Sequence, residues 1–163
     1  MAGLEDLYRE IILDHYRSPR NRGELPVPPA HKVEGFNPLC GDEVVLYVEV
    51  DSDTGTVRDV KIAGQGCSIS QASTSMMSAA VKGKSLDETR QLIRAFKALM
   101  SIHESKLEGE SDGSDLQADL EGVRLGDLEA LQGVVKFPVR IKCATLAWNT
   151  LQQALDESTA ESR

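Results

Sequence analysis

The chain is poor in cysteine, in aromatic residues and in positive charge. Its 163 residues include three cysteines, an odd number that cannot close completely as internal disulfides, and only 4% are aromatic. We therefore expect a reducing, cytoplasmic setting in which thiolates are available to metals and electrophiles. Acidic residues outnumber basic ones by 26 to 18, for a formal net charge of −8. Because phosphate binding requires clustered Lys and Arg, this balance argues against a nucleic-acid partner.

Long apolar runs are missing as well. No stretch approaches the roughly 20 apolar residues that span a bilayer. The first residues, Met-Ala-Gly-Leu-Glu-Asp, lack the basic start and apolar stretch of a signal peptide. We expect a cytoplasmic protein with no membrane partner. The 40% hydrophobic content is enough for a buried core in a chain of this size. No linker or repeat divides residues 1–163, so a single domain is predicted.

The residue pattern predicts an α+β protein. An apolar helical repeat opens the chain and ends at the turn-forming residues 18–23. Two alternating runs, at 43–50 and around Val60, predict a hairpin, to which residues 31–36 add a third strand. The further predicted helices begin at Ser68, at the Ser85–Glu88 capping box and at Phe137–Pro138, with a short helix at 127–132 before the last of them.

The stretch from residue 104 to 121 has an unusual composition. It carries seven acidic residues against the single basic residue Lys106, with two glycines and little apolar content. Such a composition is typical of a solvated surface loop, and a binding element is the alternative.

The three cysteines stand in three different sequence settings. Cys40 lies in Asn-Pro-Leu-Cys-Gly-Asp at 37–42, Cys67 in Gly-Cys-Ser-Ile-Ser at 66–70, and Cys143 ends Arg-Ile-Lys-Cys at 140–143. Asp42 follows Cys40 across a glycine, so one tight turn could direct both side chains to the same point. Three thiolates and a carboxylate make four ligands, the number that tetrahedral zinc requires.

The predicted helices place two of these cysteines where the electric field of a helix N-terminus would stabilise a thiolate. Cys67 lies at a helix start, where free N–H groups and the helix dipole favour the thiolate, and Cys143 is predicted near the start of the last helix. Arg140 precedes Cys143 by three residues and shares its helical face, whereas Lys142 points about 100° away.

Each of these residues also has a plain structural interpretation. A lone cysteine such as Cys143 is often a small buried hydrophobic residue, and Asp42 could serve only to cap a turn. The histidines fit ordinary helix or loop sequence, and three methionines fit the core: His15, His31, His103, Met76, Met77 and Met100.

Together, these motifs resemble the U-type iron–sulfur scaffold family. The resemblance adds Asp-His-Tyr at 14–16 and Pro-Arg-Asn at 19–21 to the three cysteine motifs, and it extends over residues 4–155. It implies a three-stranded antiparallel sheet with helices packed on one face. It also implies a role in iron–sulfur cluster assembly.

Two departures place the chain nearest the SufU branch of that family. Lys142 stands where general scaffolds have a histidine, and residues 137–141 replace their chaperone-binding Leu-Pro-Pro-Val-Lys segment. The chain also carries an acidic insertion at about 102–124. The branch implies a zinc-dependent sulfurtransferase that takes persulfide sulfur from a pyridoxal-phosphate cysteine desulfurase and works with downstream iron–sulfur assembly proteins. The implied zinc ligands are Cys40, Asp42, Cys67 and Cys143, with Cys40 as sulfur acceptor and Arg140 beside it.

Three hypotheses remain from the sequence. The first is the zinc sulfurtransferase, the second is a scaffold that assembles and transfers a [2Fe–2S] cluster on the same ligands, and the third is a purely structural zinc site. Thiolates bind both zinc and iron–sulfur clusters, so the ligand types alone do not separate the first two. Paired Cys-x-x-Cys knuckles, which are typical of structural zinc, are missing here.

Overall fold

A computed structural model describes residues 4–27, 30–38, 41–108, 125–136 and 138–161. Its elements, in chain order, are α1 (Leu4–Arg17), β1 (His31–Asn37), β2 (Asp42–Asp51), β3 (Thr56–Gln65), α2 (Ser68–Val81), α3 (Leu86–Glu108), a 3₁₀ segment (Gly126–Lys136) and α4 (Pro138–Glu161). The predicted α+β class is confirmed, as are the hairpin and the third strand at 31–37.

The sheet is a meander in the order β1-β2-β3, antiparallel throughout. Val33 pairs with Leu46, and Leu46 pairs with Ile62, so the three side chains form a row across one face. All three are buried in the core, because alternation places every second residue of a strand on the helix-covered side.

The helices pack on that face, as predicted. α4 crosses β1 and β2, and α2 lies against both β3 and α4. The close approach of α4 requires Gly35, since a Cβ atom there would overlap the Thr150 hydroxyl. Phe96 of α3 stacks on Trp148 of α4 with ring centroids 4.6 Å apart. This packing fixes the start of α4 relative to the end of β1, where the candidate site lies.

The helix ends explain two of the sequence motifs. The Ser85 Oγ accepts from the Glu88 N–H, and the Glu88 carboxylate accepts from the Ser85 N–H, so the predicted capping box forms. The Pro-Arg-Asn turn covers the free edge of β3, where Asn21 accepts from the Ile62 N–H through its carbonyl. Among the described helices, none is both long enough and apolar enough to cross a membrane.

Two boundaries differ from the sequence predictions. α3 continues to Glu108, so the loop predicted from residue 104 is wrong for residues 104–108. Glu and Lys are good helix formers, and the uninterrupted run before Gly109 lets the helix continue although its composition is acidic. The short helix predicted at 127–132 is a longer 3₁₀ segment, Gly126–Lys136. The rest of the acidic insertion, 109–124, lies outside the described residues.

Candidate metal centre

Three of the four predicted ligands meet at one point. Asp42 begins β2, Cys67 joins β3 to α2, and Cys143 lies in the second turn of α4. One ligating atom from each, a carboxylate oxygen and two sulfurs, all lie within 4.8 Å of one another. The fold therefore brings together three segments that are distant in sequence. Cys40, the fourth predicted ligand, lies outside the described residues.

Asp42 is fully buried and has one oxygen committed within the protein. Its Oδ1 accepts the Cys67 N–H at 2.9 Å, and its Oδ2 lies 3.9 Å from the Cys67 Sγ. Zn–O and Zn–S bonds of about 2.0 and 2.3 Å at tetrahedral angles separate such ligand atoms by about 3.5 Å. The spacing fits a shared metal ion. The bond to Cys67 spans 25 residues, so Asp42 is not simply the cap of a local turn.

Gly66 makes the approach of Asp42 to Cys67 possible. A Cβ atom on residue 66 would lie 2.5 Å from the Asp42 Oδ1 and 3.1 Å from its Cα and Cβ. No side chain fits between these two chain segments. The glycine is therefore required by the close contact that orients the carboxylate.

Cys67 is the N-cap residue of α2. Its Sγ accepts the Ser70 N–H at 3.4 Å, as a capping side chain does. The prediction that it lies at a helix start is confirmed. A thiolate here faces the positive end of the helix dipole, and the half-buried sulfur remains partly accessible.

Cys143 is more deeply buried than Cys67. Its sulfur is fully buried, 3.8 Å from the Val139 carbonyl and 3.9 Å from the Asn37 Nδ2. It lies more than one turn inside α4, where the field of the helix N-terminus has mostly faded. Its predicted place near the start of the last helix is confirmed, and the effect of the helix field on its thiolate stays a prediction. Arg140 provides the nearby positive charge.

Arg140 contacts both sulfurs. The pKa of its guanidinium is raised above the usual value, first by the charge of Cys67 and the hydrogen bond to it, and then by the corresponding contacts with Cys143. The helical spacing predicted the contact with Cys143, but the contact with Cys67 arises only from the packing of α4 against α2. Lys142, which the helical spacing turns away from Cys143, is exposed.

The histidine His15 is a buried structural residue. Its Nδ1 lies 2.8 Å from the Ser75 Oγ, and its Nε2 lies 3.0 Å from the Asp127 Oδ2. The sequence did not indicate this network, because its three members lie on separate elements.

Asn37 beside Cys143 was also missed, although it belongs to a recognised motif. Met76, Met77 and Met100 are core residues, as predicted.

Comparisons with known proteins show similarity over most of the chain. Residues 7–119 match the family described as NifU-like N terminal domain. The chain is 42% identical to the zinc-dependent sulfurtransferase SufU of Bacillus subtilis over 94% of this chain and 92% of that protein. It is 39% identical to the iron–sulfur cluster assembly scaffold protein IscU of Streptococcus pyogenes, over 97% and 88% respectively.

Solved structures share the fold. The crystal structure of FiSufU from Fervidobacterium islandicum is 34% identical, with a TM-score of 0.67, over 94% of this chain and 99% of that one. The N-terminal part of a NifU-like protein from Brucella abortus superposes with a TM-score of 0.72 at 21% identity, over 95% and 99%. The family match, the identities and the shared fold lead to one conclusion: the chain belongs to the NifU-like N-terminal domain family, which includes the SufU and IscU proteins.

Proposed function

We propose that this protein serves iron–sulfur cluster assembly as a zinc-dependent sulfurtransferase, which accepts persulfide sulfur from a pyridoxal-phosphate cysteine desulfurase. The observation that carries the proposal is the meeting of the Asp42, Cys67 and Cys143 ligand atoms within 4.8 Å. The similarity to a zinc-dependent sulfurtransferase supports the choice of zinc.

The donor set suits zinc. Thiolate and carboxylate are both zinc ligands, and Cys40 would supply the fourth position that tetrahedral coordination needs. When bound, zinc holds its thiolate ligands deprotonated at neutral pH and has no redox chemistry of its own. Because these ligands come from distant segments, loss of the metal should also weaken the packing of β2, α2 and α4.

Asp42 and Arg140 would change the net charge of the metal centre in opposite directions. Three thiolates and a carboxylate add a total charge of −4, which a divalent ion reduces to −2. Arg140 offsets part of the remainder through its contacts with the Cys67 and Cys143 sulfurs. The Asp42 carboxylate is the hardest donor of the set, and we infer that it exchanges most readily.

Cys40 is the proposed sulfur acceptor. Its thiolate would attack the outer sulfur of the persulfide on the desulfurase, breaking that S–S bond and releasing the cysteine thiolate of the desulfurase, so that Cys40 carries the persulfide. The adjacent Gly41 has φ +68° and no atom within 4 Å of a Cβ position. A glycine in this conformation can allow the preceding residue to change position at little cost.

A [2Fe–2S] scaffold is the second candidate. The similarity to IscU scaffold proteins and the thiolate-rich donor set both favour it. The residues proposed for zinc would then hold iron.

One experiment separates the two candidates. Freshly purified protein is assayed for zinc, iron and acid-labile sulfide, and alanine release by the purified desulfurase is measured with and without it. We expect about one zinc per chain, no labile sulfide and faster alanine release, with the stimulation lost in Cys40→Ala. Iron with stoichiometric labile sulfide and no stimulation would establish the scaffold function instead.

A further inference from the structure

Asn37 lies at the end of β1, on the face of the sheet that the helices cover. Alternation along the strand places its side chain on the same face as Val33 and Gly35. Only 7% of the residue is exposed. Asn37 pairs with Asp42 across the two strands, and residues paired in this way carry neighbouring side chains on one face. Asn37 is therefore the strand partner of a proposed metal ligand.

The packing of α4 on β1 brings Asn37 to a second proposed ligand. At Gly35 the two elements are so close that a Cβ atom would overlap the Thr150 hydroxyl and lie 3.3 Å from the Leu146 Cδ1. Two residues further along β1, and about one turn earlier in α4, the same line of contact reaches Asn37 and Cys143. The Asn37 Nδ2 lies 3.9 Å from the Cys143 sulfur and donates to it. One side chain thus connects the end of the sheet to a sulfur of the metal centre.

The Cys143 sulfur needs a hydrogen-bond donor when it is charged. The residue is fully buried, and a buried anion costs free energy unless donors and opposite charges surround it. The thiol form can donate to the Val139 carbonyl, 3.8 Å away, but a carbonyl only accepts and offers nothing to a thiolate. Asn37 supplies an N–H, and a hydrogen bond to a charged acceptor is about twice as strong as one between neutral groups. The Asn37 amide therefore stabilises the metal-binding form of this sulfur.

The two sulfurs of the centre have different donors. Cys67 accepts the backbone N–H of Ser70 at 3.4 Å, a donor that a change of side chain does not remove. Arg140 contacts both sulfurs, and its strongest interaction is with Cys67. A change at Arg140 would alter both ligands together, whereas a change at Asn37 acts directly on Cys143.

We propose that Asn37 is a positioning residue of the metal centre, whose side-chain amide donates to the Cys143 sulfur and holds it in place to bind metal. The identity of the metal rests on the proposed function. Through its backbone, Asn37 also fixes the position of Asp42, so one residue orients ligands on two elements. Residues that orient a metal ligand through a hydrogen bond typically change metal affinity about 10- to 100-fold when they are replaced.

The test measures metal binding separately from sulfur transfer, with the full-length protein. Asn37→Leu keeps the approximate size of the side chain but removes the N–H donor. Asn37→Asp removes the donor and brings a negative charge to the sulfur. Asn149→Asp, on the exposed face of α4, is the matched control for the added charge.

Three measurements are made on each protein. Competition with a chromophoric chelator gives the zinc affinity, and circular dichroism shows whether the variant is folded. Cobalt(II) is then bound in place of zinc, because it accepts the same ligands and its sulfur-to-cobalt charge-transfer band reports on the bound thiolates. Stimulation of alanine release from the purified desulfurase is measured with wild-type protein alone.

Both Asn37 variants should fold and bind zinc about 10- to 100-fold more weakly, whereas Asn149→Asp should match wild type. Their charge-transfer band should move to longer wavelength, because a hydrogen bond stabilises the sulfur electrons from which the transition starts. A purely structural role would lower the affinity without moving the band. That result would overturn the proposal, as would wild-type affinity in every Asn37 variant that folds.

The wild-type protein separates this proposal from the proposed function. The expected shifts in the Asn37 variants, together with no stimulation of alanine release by wild type, would retain the positioning role and refute the sulfur transfer. A wild-type protein that shows no sulfur-to-cobalt band would overturn the positioning role itself, because no cysteine sulfur would then bind the metal.

Discussion

Replacing Gly66 with alanine should damage the metal centre without touching any proposed ligand. The added methyl carbon would lie 2.5 Å from the Asp42 Oδ1, and both the Cα and Cβ of Asp42 are 3.1 Å away, so rotation of the carboxylate alone does not relieve the overlap. Either the start of β2 or the residues before α2 must shift. The Cys67 N–H bond to Asp42, now 2.9 Å, would be lost or stretched.

The size of the effect follows from these contacts. Overpacking in a well-packed region costs about 1–3 kcal/mol, and a hydrogen bond to a charged group contributes about 1.5–3 kcal/mol. Because movement of Asp42 relieves the overlap while breaking the bond, the two costs overlap, and we expect a loss of about 2–4 kcal/mol in the free energy of unfolding. Displacement of a ligand-orienting contact should also weaken zinc binding about 10- to 100-fold.

Gly133→Ala is the matched control. Its methyl group meets nothing within 4 Å, and such a change at a compatible position alters stability by less than about 1 kcal/mol. Urea unfolding of the zinc-loaded proteins gives the stability, and competition with a chromophoric chelator gives the zinc affinity. If Gly66→Ala binds zinc as tightly as Gly133→Ala, the contact between Gly66 and Asp42 does not position a metal ligand.

Three further predictions concern single side chains. Asp42→Ala should retain zinc on the three cysteine thiolates but exchange it faster, because water replaces the carboxylate ligand. The exchange rate is measured with isotopically enriched zinc, and a wild-type rate would remove Asp42 from the ligand set. His15→Ala should lower the free energy of unfolding by about 2–3 kcal/mol, since it leaves the buried Ser75 hydroxyl without its histidine partner. The variant should still bind one zinc per chain, and loss of zinc would show that His15 acts on the metal centre itself. The Arg20 hydrogen bond and charge lower the pKa of Asp14 below 3.8, so its stabilising contribution is complete above that pH and disappears as the pH falls through the folded-state value. The stability difference between wild type and Asp14→Asn should therefore shrink as the pH falls below 3.8, and a difference that does not change with pH in acid would refute this explanation.

Much of the fold could be predicted because it depends on local patterns. Alternation at 43–50 marks β2, and the Ser85–Glu88 box marks the start of α3. The extension of α3 to Glu108 was missed because acidic composition was given more weight than helix propensity. The gathering of Asp42, Cys67 and Cys143 was predicted from ligand chemistry and family resemblance, not from local pattern.

The remaining features depend on tertiary packing. His15 contacts Ser75 and Asp127, which lie 60 and 112 positions further along the chain. No periodicity in the sequence predicts such contacts. The second contact of Arg140, with Cys67, likewise exists only once α2 and α4 have packed together. Ligand chemistry in the sequence predicted that Asp42, Cys67 and Cys143 lie together, but only the folded structure shows what surrounds them.

X-ray absorption at the zinc edge tests the central claim most directly, because it counts the atoms bound to the metal. Our account predicts three sulfurs at about 2.3 Å and one oxygen at about 2.0 Å in the wild-type protein, falling to two sulfurs in Cys40→Ser. A wild-type centre without sulfur ligands, or three sulfurs retained in Cys40→Ser, would contradict the assignment of Cys40, Asp42, Cys67 and Cys143 as its ligands.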